Sequence, residues 1–246
     1  MEGLFITGTG TGVGKTIVSA ALLAAMTAEG ELVRAYKPVV TGLEDPAEIA
    51  ARGVWPPDHE LLGRMAGMDP GEVAPLRYGP AVSPHLAAEL AGERIDPERL
   101  LAAAWAIGAG DTTTADTTTA PAGTLIAEGV GGLLTPLSDD YTVCDLAVAL
   151  GLPLLIASQA GLGTINHTLL TLRVARAAGL QVRAVVLTPW PEGPSTMERS
   201  NRETIGRMGE VDVAGLGLVE GPDRTALAQA GAELLAELRR ERAASR

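Results

Sequence analysis

The sequence is short of several residue types, and each shortage excludes something. Its single cysteine, Cys144, allows no internal disulfide and no zinc-type cluster. The three histidines, His59, His85 and His167, are not spaced as metal ligands, and each lies near a helix start where capping or simple exposure accounts for it. Aromatic residues make up 3% of the chain, so the core must be aliphatic, and abundant alanine and glycine predict closely packed helices. No apolar run is long enough to cross a bilayer, and the N-terminus enters an apolar strand without a leader-like segment; a cytoplasmic protein with no membrane partner is expected. Positive charge is scarce as well. With 19 Lys and Arg against 30 Asp and Glu the net charge is −11, and no basic run occurs before the last helix, which argues against nucleic acid as a partner.

What the sequence does have is a phosphate cradle near its start. Leu4, Phe5 and Ile6 form an apolar strand that runs through Thr7 into Gly8-Thr9-Gly10-Thr11-Gly12-Val13-Gly14-Lys15-Thr16, and the apolar helix beginning at Ile17 follows. In G-x-x-x-x-G-K-[ST] loops the backbone N–H groups and the helix N-terminus surround phosphates, the lysine neutralises their oxygens and the hydroxyl holds Mg²⁺. The leading glycine here, Gly8, stands one position early, yet strand, loop and helix occur in the required order. A nucleotide-binding site is expected, and with it a metal.

Apolar runs and helical segments then alternate. Residues 32–36, 124–127, 153–157, 182–187 and 213–218 read as strands, and residues 60–65, 98–107, 143–150, 165–178 and 224–242 as helices. This order implies one α/β domain over residues 1–246, of the P-loop NTPase kind: a mostly parallel sheet with helices on both faces. A Pro- and acid-rich loop is expected between residues 42 and 57, Asp58 reads locally as a helix cap, and Ser83 reads as an N-cap before Pro84. The low-complexity segment 111–121 reads as a surface loop.

Open parallel sheets bind ligands beyond the carboxyl ends of their strands. Two charged residues stand there. Glu128 follows the strand at 124–127 and leads into Gly129-Val130-Gly131-Gly132; it is placed to ligate, directly or through a second shell, the Mg²⁺ held by Thr16. Lys37 ends the strand at 32–36, and its own surroundings leave solvation and function equally open. Cys144 reads as a small core residue, and Arg239, Arg240 and Arg242 as a solvated helix end.

Five segments in order resemble the dethiobiotin synthetase family: the phosphate loop, Tyr36-Lys37-Pro38-Val39 with Thr41-Gly42, Ser83-Pro84-His85, Glu128-Gly129-Val130-Gly131-Gly132, and Gly163-Thr164-Ile165-Asn166-His167. The likeness spans nearly the whole chain. It implies a homodimeric, ATP- and Mg²⁺-dependent enzyme converting 7,8-diaminopelargonic acid and CO₂ to dethiobiotin through a carbamate and a carbamic-phosphoric anhydride. It further implies that Thr16, Asp58 and Glu128 hold Mg²⁺, and that Lys15, Lys37 and Thr11 carry catalysis. Nucleotide contacts would come from Gly12, Val13, Gly14, Lys15, Thr16, Ile17, Asp58, Glu128, Gly129, Val130, Gly131, Thr188, Pro189, Val219, Glu220 and Gly221. The diamine or its carbamate would meet Thr11, Lys37 and Thr41. Leu162, Gly163, Thr164 and Asn166 would contact the substrate from the other subunit, their helix N-terminus suiting its distant carboxylate.

Two departures from the family pattern stand out. Gly12 occupies a position where many members carry an acidic residue. Thr188-Pro189 stands where members often present Asn-Asp to adenine, and a hydroxyl and a proline nitrogen cannot supply the paired donor and acceptor of an amide; relaxed base specificity is expected. Two rival P-loop classes fit less well. Partition-type ATPases carry a signature lysine where Gly10 stands and often end in a membrane-binding helix, whereas the last helix here contains Glu233, Glu237 and Glu241. Amide-forming ligases add a glutaminase domain with a nucleophilic cysteine, for which this chain has neither length nor cysteine.

Overall fold

The computed structural model describes residues 2–110 and 122–244, with side chains described to residue 239. In chain order the elements are β1 (Gly3–Gly8), α1 (Lys15–Ala28), β2 (Val33–Tyr36), β3 (Val39–Val40), α2 (Pro46–Arg52), α3 (Asp58–Ala66), α4 (Pro70–Val73), β4 (Leu76–Arg77) and α5 (Pro84–Leu90). These are followed by α6 (Pro97–Ala109), β5 (Thr124–Glu128), α7 (Val143–Leu150), β6 (Leu154–Ser158), α8 (Thr164–Ala177), β7 (Val182–Leu187), α9 (Thr196–Gly209), β8 (Val213–Gly215) and α10 (Arg224–Ala244). Six strands form one parallel sheet in the order β2-β5-β1-β6-β7-β8. A separate parallel pair joins β3 to β4.

Two-residue alternation sends the strand side chains to two cores. Phe5, Leu125, Ala127, Leu154, Ile156, Val185 and Leu187 join one face with α6, α7, α8 and α9, while Ile6, Ile126, Leu155, Ala157, Ala184 and Val186 join the other with α1, α3 and α10. The second face shows why small residues abound. At Gly231 of α10 an added Cβ would lie 1.9 Å from the Ala21 carbonyl oxygen and 2.9 Å from Ala25 Cβ, so α1 and α10 cross almost backbone to backbone. Arg239 then ties α10 to the end of α1 through Glu29 and Glu31. Tyr36, fully buried, donates its hydroxyl to the Leu100 carbonyl at 2.8 Å and so docks α6 on β2.

Several local expectations are corrected. Residues 46–52 are helical, not loop, because Asp45 caps the N–H groups of Ala47 and Glu48 and Pro46 opens the turn. Asp58 is not a cap: α3 starts at Asp58 itself, and Pro57 occupies the N-cap position. Ser83 does precede α5, but its side chain makes no capping hydrogen bond. Helix α9 had no counterpart in the reading of the sequence; it is largely polar and starts with a capping box between Ser195 and Glu198. The last strand is three residues long rather than six. His59 is buried, not exposed, and its Nδ1 has no hydrogen-bond partner among the described residues. The segment 111–121 lies outside the described residues. No helix among the described residues is long and apolar enough to cross a membrane.

Candidate active site

The loop after β1 is held from below by its neighbours. Thr9 donates its N–H to the Ala157 carbonyl at 3.0 Å, and its hydroxyl lies 3.2 Å from Ser158 Oγ. Gly14, at the N-cap of α1, has φ 91°, and a Cβ there would meet Thr188 Cγ2 at 2.5 Å; only glycine fits both the conformation and the space. Lys15 opens the helix, is buried, and donates to the Gly10 carbonyl at 2.7 Å, closing the loop on itself. Burial and the neighbouring Lys37 charge lower its pKa to about 8, against the opposing pull of Glu128 and Asp58.

The centre of the site is Lys37. Its Nζ lies 2.6 Å from Glu128 Oε1 and 2.8 Å from Asp58 Oδ2, while Lys37 is 3% exposed and Glu128 fully buried. Thr16 donates its hydroxyl to the same Glu128 Oε1 at 2.9 Å. Burial works against the Lys37 ammonium, yet the two carboxylates hold its pKa above the ordinary lysine value by charge and hydrogen bond. Burial likewise opposes the Asp58 charge, and Lys37, with help from Thr16 and Lys15, keeps its carboxyl below the usual range. Among the described residues Glu128 Oε2 is buried without a hydrogen-bond partner. The Thr16 hydroxyl and the Asp58 and Glu128 carboxylates together offer hard oxygen lone pairs, Glu128 Oε2 among them, of the kind a small divalent cation takes.

Lys15, Thr16, Lys37 and Asp58 border a cavity of about 1040 Å³. Of the residues singled out from the sequence, Thr11, Gly12, Gly14, Lys15, Thr16, Ile17, Lys37, Thr41, Asp58, Val130 and Gly131 line it. Glu128 sits behind this wall, reached through Thr16 and Lys37, and Gly129 accepts a 3.4 Å contact from Lys37 on its carbonyl. Val13 turns its side chain under the loop against Gly8. Thr188 is buried against Gly14 and gives its N–H to the Ser158 carbonyl; with Pro189, Val219, Glu220 and Gly221 it lies outside this cavity.

The start of α8 also lies apart from it. Leu162 is 92% exposed, Gly163 and Asn166 are exposed, and Thr164 turns inward to a buried hydroxyl cluster, 2.8 Å from Ser158 Oγ, with Thr168 3.0 Å from that oxygen. The sequence reading missed Ser158, Glu48 and Arg52. Ser158 ends a buried strand, the same signal that marks Glu128; Glu48 and Arg52 line the cavity from α2, a stretch whose sequence reads as loop.

A protein-family model described as an AAA domain matches residues 2–220. The ATP-dependent dethiobiotin synthetase BioD of Caulobacter vibrioides (strain NA1000 / CB15N) is 37% identical over 203 residues, covering 79% of this chain and 83% of that protein. The protein of the same name from Caulobacter sp. (strain K31) is 41% identical over 199 residues, 79% of each chain. That of Novosphingobium aromaticivorans is 37% identical over 236 residues, covering 95% of this chain and 96% of its own. Among solved structures, the signal recognition particle receptor FtsY of Elizabethkingia anophelis overlays at a TM-score of 0.49 and 12% identity, covering 94% of this chain and 65% of that one, a likeness too slight to carry an argument. By the extent and identity of its sequence relatives, the chain belongs to the dethiobiotin synthetase family.

Proposed function

We propose that this chain is an ATP-dependent dethiobiotin synthetase, a ligase of biotin biosynthesis that joins CO₂ to 7,8-diaminopelargonic acid and closes the ureido ring, releasing ADP and phosphate. The observation that carries this reading is Lys37, a buried ammonium held between Glu128 and Asp58 at the edge of a phosphate loop. Phosphoryl transfer asks a protein chiefly for positioning and for positive charge where negative charge builds up. A carbamate formed on one substrate amine is an anion, and its natural place is beside Lys37 and the hydroxyls of Thr11 and Thr41, which face the same cavity. Lys15 turns from the Gly10 carbonyl to the β/γ oxygens, and the N–H groups of residues 12–17 receive the rest of the phosphate chain. After phosphoryl transfer to the carbamate oxygen, the second amine attacks the carbamoyl carbon and phosphate leaves.

Thr16, Asp58 and Glu128 would hold Mg²⁺, and the unpartnered Glu128 Oε2 supports that fit. A bound Mg²⁺ would neutralise part of the phosphate charge. We further propose a cytoplasmic homodimer in which the exposed start of α8, with Leu162, Gly163 and Asn166, closes over the partner's cavity, since it lies outside its own. Base recognition is relaxed in this reading. Thr188 spends its N–H on Ser158 and Pro189 has none, leaving little to read a base edge beyond Val219, Glu220 and Gly221.

The test is to incubate the protein with diaminopelargonate, bicarbonate, Mg²⁺ and each nucleoside triphosphate, and to look for dethiobiotin by mass. No product with any nucleotide overturns the reading. CTP and GTP are expected to support turnover within about tenfold of ATP; a strong preference for ATP refutes the relaxed-base part alone. Lys37→Gln should lower kcat by on the order of 100-fold or more, and unchanged turnover and diamine binding would refute its role.

A further inference from the structure

Helix α2 is unusual among the elements around the cavity because none of its residues is buried. Such a helix gains no core packing, and seven residues are too few to be stable alone. It is held by the Asp45 cap at one end and by Arg52 at the other, where Nη1 makes a single long bond, 3.5 Å, to the Gly42 carbonyl. Arg52 is half-buried and lines the cavity beside Thr41. The other two basic residues of the cavity wall are engaged, Lys15 by Gly10 and Lys37 by two carboxylates. Arg52 forms no ion pair among the described residues, although Glu48 stands one helical turn before it. A guanidinium has five donors in a planar fork that matches a carboxylate, and with one spent on Gly42 four remain.

We propose that Arg52 is a substrate-binding residue that clamps a carboxylate-type anion of the diamino acid, with α2 as the element that carries it in. This rests on the diamino-acid reading given above. Two groups share the required chemistry, the acid's distant carboxylate and the carbamate formed on its amine. The contact comes from the same chain as the phosphate loop and is independent of the α8 loop of a second subunit. Because α2 has no core anchor, a ligand that engages Arg52 also orders the helix.

The experiment compares wild type, Arg52→Gln and Arg52→Lys on two substrates: the diamino acid and the same diamine lacking its terminal carboxylate, each with saturating ATP and bicarbonate. Dethiobiotin formation by the wild type tests the underlying reading, and the variants test only the inference. Losing a charge-assisted bidentate contact should lower kcat/KM for the diamino acid roughly 10- to 100-fold in Arg52→Gln. Arg52→Lys should fall between, because it keeps the charge without the fork. If the loss vanishes with the truncated diamine, Arg52 holds the distant carboxylate; if it persists, Arg52 holds the carbamate. Hydrogen exchange supplies a readout that a merely structural role would not move: amides 47–52 should slow on adding the diamino acid and bicarbonate to wild type, and not in Arg52→Gln. The proposal is overturned if Arg52→Gln keeps kcat/KM within about twofold of wild type and shows the same slowing.

Discussion

Replacing Lys37 by methionine isolates the cost of the charge that the fold has buried. The substitution keeps volume but strips Glu128, which has no solvent contact, of an ammonium at 2.6 Å; among the described residues the Thr16 hydroxyl is the hydrogen bond left on it, with the Lys15 charge farther off. Removing one member of a buried pair costs about 3–5 kcal/mol, because the survivor is left charged and desolvated. The carboxylate has one escape, which is to take up a proton. For an ordinary glutamate that costs about 3.7 kcal/mol near pH 7 and about 1 kcal/mol near pH 5, at 1.36 kcal/mol per pH unit. The penalty therefore saturates near 4 kcal/mol at neutral pH. The sign follows from proton counts: the folded variant holds a proton that its unfolded chain lacks, so the deficit grows as pH rises above the carboxylate range and fades as pH falls into it. Loss of Lys37 also removes what holds the Asp58 carboxyl low, a wild-type stabilisation present above the carboxylate range and lost in acid, so both effects run the same way. Asp58 is 38% exposed and adds little, since water can replace its partner. Lys37→Met with Glu128→Gln removes both charges, and should return stability to within about 1 kcal/mol of wild type, with no pH dependence beyond the small Asp58 part. Urea unfolding at three pH values measures all of this. A deficit as large near pH 5 as near pH 7, or no recovery in the double variant, refutes the buried-pair reasoning.

Three further outcomes follow from other parts of the molecule. Gly231→Ala drives a Cβ into the Ala21 carbonyl and should cost about 1–3 kcal/mol, read as a lowered Tm; a variant as stable as wild type would mean α1 and α10 can part without loss. Lys15, with its pKa lowered to about 8, is partly uncharged in the free protein above that pH and recovers its proton beside polyphosphate. Nucleotide affinity should therefore fall as pH rises beyond about 8, with proton uptake visible as buffer-dependent heat in titration calorimetry; flat affinity from about pH 7.5 to 9.5 refutes it. Burial pushes the Cys144 thiol pKa up and leaves it 6% exposed, so a thiol reagent should modify it in the denatured protein and hardly at all in the native one, whereas fast native labelling would contradict its placement.

The sheet was legible in the sequence because parallel strands buried on both faces read as continuous apolar runs, and β5, β6 and β7 are such runs bounded by glycine and proline. The phosphate loop was legible because its geometry demands particular residues at fixed spacing. What stayed hidden depended on distant partners. Helix α9 has a capping box but little apolar stripe, so its signal is a terminus without a periodicity. Strands β3 and β4 are two residues each, and their pairing of Val39 with Leu76 has no local mark. Asp58 is the sharpest case: a carboxylate just after two prolines looks like a cap, and only the folded chain shows it turned onto Lys37.

That turn has a topological cause. In the sheet order β2-β5-β1 three strands run parallel, so their carboxyl ends lie side by side at about 4.8 Å spacing. Tyr36 stands opposite Ala127, and Ile6 opposite Glu128. The next residue of β2's chain is Lys37, which falls beside Glu128, and two residues beyond Ile6 is Gly8, where the phosphate loop begins. Register alone thus puts an ammonium, a carboxylate and a phosphate-binding turn within one crossing of the sheet edge, and Lys37 and Glu128 gain meaning only together. Exchange β2 with β8 in the sheet, leaving every residue unchanged, and Lys37 would face the solvent edge three strands from the loop. Glu128 would then keep the Lys15 charge near it but lose the ammonium in direct contact, and burying a carboxylate without such a partner is costly. The sequence therefore carries the site's chemistry in residues whose worth depends on strand order, and the cost of leaving Glu128 unpaired is itself one of the forces that selects that order.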